Sequence, residues 1–239
     1  MINNRSLKGR SRILLNGHHT KLASFTILYL LCLLLSSLLP SYFFSDMSTP
    51  VFLLSAGLLN YLLTVFVNLV SVGISRAVLC ICKEENYGLS DLFFAFTHNS
   101  DLFLKMQLIM TAVHTLLSLP ILFLSYFVAD KNISTLEYTL IYYSLVLLAA
   151  LLSMLILLPL SFAPFLAIEN PDSSLMECFK ESCRLTKGYR LKLFWLQISF
   201  AGMYLLSIAS MFTGFLFTLP YMRCANVLFF KDLQNRKRG

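Results

Sequence analysis

"ENPDSSLMECFKESCRLTKGYRLKLFW", residues 169–195, is a charged, helix-ready stretch set between long runs of Leu, Phe and Ile. Within it Leu175, Cys178, Phe179, Ser182 and Leu185 recur at helical spacing. Glu177, Lys180, Glu181, Arg184 and Lys187 fall on the opposite face, so the spacing predicts a two-faced helix. Asn170 is a candidate N-cap, with Pro171 at the first helical position, Asp172 at the positive dipole end and Gly188 as C-cap. A helix of this kind lies in the headgroup plane or against the ends of membrane spans. The N-terminal stretch "SLKGRSRILLNGHHTKLASF", residues 6–25, repeats its pattern.

The surrounding sequence supplies the spans. The chain has 239 residues, of which 57% are apolar and only 13% charged, with a mean hydropathy of +0.73. A soluble domain carries about 25% charged residues, so lipid is the expected solvent for most of this surface. Crossing ~30 Å of hydrocarbon takes about 20 residues. Residues 22–44, 51–82, 104–129 and 138–168 each suffice. The run from Leu22 is too long for a signal-peptide core and lacks a small-residue cleavage site, so it reads as a retained first span. Residues 193–230 would reach ~57 Å as one helix, and two short helices broken near Thr213-Gly214 fit better. Six spans result.

Charge supports that number. Of the 19 Lys and Arg residues, all but Lys131 fall on one side of a six-span layout. The positive-inside rule then puts both termini and residues 169–195 in the cytoplasm of a plasma-membrane protein. The net charge of +7 follows from basic residues ringing the bundle, which favour anionic headgroups. Because they are scattered around a rim, nucleic acid is not an expected partner; membrane lipids are, and a membrane protein partner is possible.

The echo between the two stretches extends further. Ser11 to Gly17 matches Ser182 to Gly188, and each Gly is followed by Lys-Leu, Lys21-Leu22 and Lys192-Leu193. "RAVLCICKEE" from Arg76 resembles "RCANVLFFKDL" from Arg223, and "LSDLFFAFTHNSDLFLKMQL", residues 89–108, gives a weaker third copy. The expected fold is all-α, a polytopic membrane bundle in a single domain, residues 1–239. It is built as three parallel repeats of a surface helix plus a transmembrane hairpin, roughly 1–89, 90–169 and 170–239.

These residues resemble a family. Asn170-Pro171, Ser182, Lys187-Gly188, Gly214, Pro220-Tyr221 and Phe229-Phe230, with "SDLFFAF" at residues 90–96, are similar to bacterial membrane proteins classed as domain of unknown function 975. The sequence departs from that pattern at Cys183, where Arg is usual, and at Leu160-Ser161-Phe162-Ala163-Pro164, where Pro-Gly is usual. The family looks related to the membrane domain attached to some glycerophosphodiester phosphodiesterases. The resemblance implies a non-catalytic membrane module.

Four residues are candidates for function. Arg223 falls inside the last span, where an arginine costs ~2.5–3.5 kcal/mol at mid-helix. It either faces the bundle, paired with Glu169 or a carbonyl freed by Pro220, or snorkels to the headgroups. Arg76 is its repeat counterpart, expected at the interface. His114 is a candidate relay or ligand-binding group, or simply hydrogen-bonded across helices. Asn60 and Asn68 share one face of the second span as interhelical glue, while Pro120, Pro159, Pro164 and Pro220 are expected to kink spans. The six cysteines match no metal template or disulfide framework, and small apolar packing accounts for them. His18-His19 reads as a basic surface loop, and Asn132-Ile133-Ser134 is a glycosylation sequon on the outer side.

No metalloprotease, nucleophile-elbow, P-loop or dinucleotide motif occurs, so no cofactor and no enzymatic activity are expected. The spans are essentially free of acidic residues, against a cation-coupled carboxylate relay. The expectation is a non-enzymatic membrane protein acting through lipid or protein contacts, as a scaffold or accessory subunit. The alternative is a small transporter or exporter component for an anionic or lipid-like substrate.

Overall fold

The computed structural model describes residues 4–43, 50–127, 135–211 and 213–238. Lys131 and the Asn132 sequon lie outside them. The described residues are helical, with no strand among them. The helices are α1 (Asn4–Leu15), α2 (His19–Phe43), α3 (Pro50–Cys82), α4 (Phe94–Thr97), α5 (Ser100–Phe127) and α6 (Thr135–Leu157). They continue with α7 (Ala163–Glu169), α8 (Leu175–Thr186), α9 (Arg190–Ile198), α10 (Ala201–Ala209) and α11 (Phe215–Arg238).

Five helices, each taken through its short breaks, are long and apolar enough to cross a membrane: Thr20–Pro40, Leu54–Cys82, Ser100–Ile121, Leu136–Glu169 and Arg190–Ala209. The protein is thus a helical membrane-protein fold. The long helix α11 is less apolar than these because Arg223 and Asn226 interrupt its hydrophobic run and its last turns, from Lys231 to Arg238, are mostly polar. The turn ahead of it falls between Ala209 and Phe215, where a break near Thr213-Gly214 is expected.

α3 is the axis of the bundle. Buried positions make up 72% of its apolar span, against 17–22% in the other four. It packs on α2, α5, α7 and α11, and on a 3-10 segment at Leu89–Phe93. That last approach requires Gly73, because a Cβ there would lie 2.0 Å from the backbone oxygen of Leu92. Asn68 Nδ2 donates to Thr111 Oγ1 at 3.1 Å and ties α3 to α5, the glue role expected of it. Asn60 is exposed instead.

Two spans are broken rather than continuous. A 3-10 turn at Leu158–Leu160 carries Pro159 and separates α6 from α7, with Pro164 in the first turn of α7. Ser182 Oγ of α8 donates to the Pro159 carbonyl at 2.7 Å, so the surface helix docks on the break. The second break, at Ser199-Phe200 between α9 and α10, has no proline and no counterpart in the sequence reading. Lys8 of α1 donates from Nζ to the Ser199 carbonyl at 2.9 Å and sits 4.6 Å above the Phe200 ring. Burial lowers the Lys8 pKa. Pro120 and Pro220 lie inside α5 and α11 without ending them.

The helix at the centre of residues 169–195 is α8, and its cap differs from expectation. Ser174, not Asn170, is the N-cap: its Oγ accepts from Glu177 N–H at 3.3 Å, and Glu177 Oε2 accepts from Ser174 N–H at 2.8 Å. This reciprocal box satisfies two orphan donors where a lone Asn would satisfy one. Asn170 instead terminates α7, its N–H reaching the Leu166 carbonyl, and Pro171 and Asp172 form a turn. The faces divide as expected, with Cys178, Ser182 and Leu185 buried and Glu177, Lys180, Arg184 and Lys187 exposed. α1 and α8 also end alike. Gly17 and Gly188 take φ of +88° and +85°, Ser11 and Ser182 are fully buried, and Leu22 and Leu193 enter the core behind them.

Candidate functional site: a polar cavity at Arg223

A cavity of about 390 Å³ opens inside the bundle, and every long helical segment contributes to its wall. Tyr29 comes from α2, Ser71 and Ser75 from α3, and Gln107 from α5. Ser161 follows the α6 break, Gln197 and Tyr204 flank the second break, and Arg223 and Asn226 come from α11. Leu157, Phe162, Phe165, Leu219 and Met222 complete it with apolar surface. Both helix breaks therefore border the cavity.

Among the described residues Arg223 is the single charged one in this wall. Its Nη2 donates to Ser71 Oγ at 3.3 Å, and no carboxylate among the described residues pairs with it. Gln197 Nε2 donates to Asn226 Oδ1 at 3.1 Å across the α9–α11 contact. Ser75 and Ser161 turn back on their own helices, to the Ser71 and Leu158 carbonyls. Gln107 is 94% buried as a residue, and its amide makes no hydrogen bond to another described residue and opens onto the cavity. The site is thus cationic and rich in neutral donors and acceptors, and a guanidinium pairs well with an anion.

The other candidates lie elsewhere. Glu169 does not pair with Arg223; it sits at the end of α7 and accepts from Lys231 Nζ at 2.5 Å and Gln234 Nε2 at 2.6 Å. Lys231 is eight residues beyond Arg223, ~12 Å along α11, which puts Glu169 out of reach of the cavity. Arg76 faces the 3-10 segment instead. Its Nε is 4.0 Å from Asp91 Oδ1 and its guanidinium carbon 5.0 Å from the Phe94 ring centroid, so it pins residues 89–97 against α3. His114 is exposed and makes no cross-helix bond to another described residue. Among the described residues no three His, Cys, Asp or Glu side chains meet as a metal site would require. All six cysteines are free.

Gln107, Gln197, Asn226 and Tyr204 escaped the sequence reading. The available signal was their rarity: an amide inside an apolar span is as informative as a charge, and Asn226 lies one turn from Arg223.

Together these features define a polytopic helical membrane protein with an internal polar site. The profile of the family described as Protein of unknown function (DUF975) matches residues 1–237, and the chain belongs to that family. No curated protein and no solved structure matches it.

Proposed function

We propose that this is a non-enzymatic, six-span protein of the plasma membrane, with both termini cytoplasmic, that binds an anionic, lipid-like molecule in the cavity at Arg223. The observation that carries the reading is a half-buried guanidinium with one hydroxyl partner and no carboxylate partner among the described residues, in a cavity walled by all six long segments. An uncompensated arginine at that depth is costly unless it is paired in use. The wall offers a guanidinium, amides and hydroxyls rather than a group that titrates near neutral pH, which suits recognition over proton transfer. The breaks at Leu158–Leu160 and Ser199-Phe200 give the wall the discontinuous helices that membrane transport sites use, in line with a transporter or exporter component. The matched endings of α1 and α8 support the first and third of three repeated units, each a surface helix feeding a hairpin from one side.

The test is binding of anionic and zwitterionic phospholipid to the full chain in neutral detergent, with and without Arg223→Gln. The account expects the anionic preference to disappear in the variant while its size-exclusion profile stays unchanged. An unaltered preference would remove Arg223 from the function. The exposed row Glu177, Lys180, Arg184 and Lys187 on α8 favours a second reading, an accessory subunit with a membrane protein partner. Charge reversal along that row, with partner capture lost and lipid binding intact, would select it.

A further inference from the structure

The cavity's polar wall carries more than a preference for negative charge. We infer that it selects a monoanionic phosphate ester bearing uncharged hydroxyl groups, and discriminates against a zwitterionic headgroup. The inference rests on the reading of Arg223 as the anion-binding group.

The charge inventory comes first. Among the described residues one guanidinium and no carboxylate line the cavity, so one negative charge is matched and a second charge of either sign is not. The ammonium of a zwitterion would be desolvated with no carboxylate beside it. Arg223 spends a single observed bond on Ser71, leaving guanidinium N–H groups for a phosphate, which accepts a planar two-pronged contact well.

The neutral inventory decides the rest. Gln107 is nine-tenths buried as a residue, borders the cavity and makes no side-chain hydrogen bond to another described residue. Its amide atoms are not sealed in, since Arg76 Nε is the one fully buried side-chain N or O without a partner among the described residues, so the amide is open to the cavity and to a ligand there. An amide presents both N–H donors and a carbonyl acceptor. A hydroxyl can use both functions at once; an ammonium uses only the acceptor and phosphate oxygens only the donors. The Gln197–Asn226 pair repeats the pattern, since its bond leaves the Asn226 NH₂ and the Gln197 carbonyl oxygen for a ligand. Phosphate at Arg223 with hydroxyls toward Gln107 and Asn226 fills the inventory on both counts. Leu219 and Met222 offer surface to an apolar tail.

The same chemistry arrives either as a phosphoglycerol lipid or as its deacylated, water-soluble headgroup. Native mass spectrometry of the full chain in neutral detergent, titrated with short-chain phosphatidylglycerol, phosphatidylethanolamine, phosphatidic acid and soluble glycerophosphoglycerol, separates these cases. Phosphatidylglycerol is expected to bind about tenfold more tightly than phosphatidylethanolamine. Gln107→Leu is expected to weaken phosphatidylglycerol about tenfold and leave phosphatidic acid, which lacks the glycerol hydroxyls, unchanged. Binding of glycerophosphoglycerol as tight as that of the lipid supports the same chemistry from the soluble source. Should Gln107→Leu fail to fold, Gln107→Glu keeps the shape and adds a carboxylate; it is expected to invert the preference toward phosphatidylethanolamine. Equal weakening of phosphatidylglycerol and phosphatidic acid in Gln107→Leu, with Arg223→Gln still abolishing anion preference, overturns the hydroxyl selectivity alone. Equal binding of all lipids, insensitive to Arg223→Gln, overturns both this inference and the reading beneath it.

Discussion

Gly73→Ala is the sharpest structural perturbation the fold offers. Its Cβ would stand 2.0 Å from the Leu92 carbonyl oxygen and 2.5 Å from that residue's carbonyl carbon and Cα. All three are backbone atoms, so no rotamer change relieves the overlap. The Leu89–Phe93 segment must retreat by roughly 1.4 Å to reach ordinary contact near 3.4 Å. Leu92 is fully buried, and the Asp91 partner of Arg76 rides on the same segment. Overpacking of this kind costs ~1–3 kcal/mol, and partial exposure of Leu92 adds ~1–2 kcal/mol. Gly57, also in α3, has nothing within 4 Å of its Cβ position and serves as the control. Thermal unfolding of the purified full chain in neutral detergent reads the difference, at about 2–4 °C per kcal/mol for a chain of this size. Gly73→Ala is expected to lower the midpoint by ~5 °C or more, and Gly57→Ala to leave it unchanged or slightly raised. Because the clash is with backbone, Leu92→Ala should not rescue Gly73→Ala. Equal behaviour of the two glycine variants, or rescue by Leu92→Ala, would refute the argument.

The remaining predictions concern the ends of helices and the ties between them. Ser174→Ala removes the α8 cap and should cost ~1 kcal/mol, read by the same melt. The Ser174 backbone N–H holds the Glu177 pKa below its ordinary 4.5, so the capping contribution is present above that value. It is lost as pH falls through the lowered value, and Glu177→Gln should flatten that part of the stability–pH curve. Lys231→Met strands the Glu169 carboxylate beside Gln234 and should cost ~2 kcal/mol, while adding Glu169→Gln to it should recover part of the loss in a double-mutant cycle. Asn68→Ala and Thr111→Val should each cost ~0.6 kcal/mol and together no more than either alone.

The long apolar runs and the two-faced helix at residues 175–186 were legible because lipid burial and the 3.6-residue period leave composition signatures. So was the turn before α11, since 193–230 is too long for one crossing. The Ser199-Phe200 break was not legible, because no proline marks it and the carbonyl it frees is satisfied by Lys8, almost 200 positions away in sequence. The α8 cap was misplaced because the Asn170-Pro171 and Ser173-Ser174 signals compete locally, and the reciprocal Ser174–Glu177 bonds decide between them. Arg223 was visible as a charge in an apolar run, but its surroundings were not. Glu169 is one of the partners the sequence offers it, beside a carbonyl freed by Pro220, whereas the helical rise of α11 carries Lys231, not Arg223, to Glu169. Gln107 was overlooked because an amide near the start of a span looks like interfacial decoration until its neighbours are known.

Everything proposed for Arg223 depends on α11 crossing the bilayer, which makes the number of crossings even. Compartment-sensitive reporters fused at residue 131 and at the C-terminus test this most directly. The account predicts opposite compartments, with the C-terminal fusion on the cytoplasmic side alongside an N-terminal one. Finding both in the same compartment would mean that α11 does not cross, and the cavity would lose its place inside the membrane.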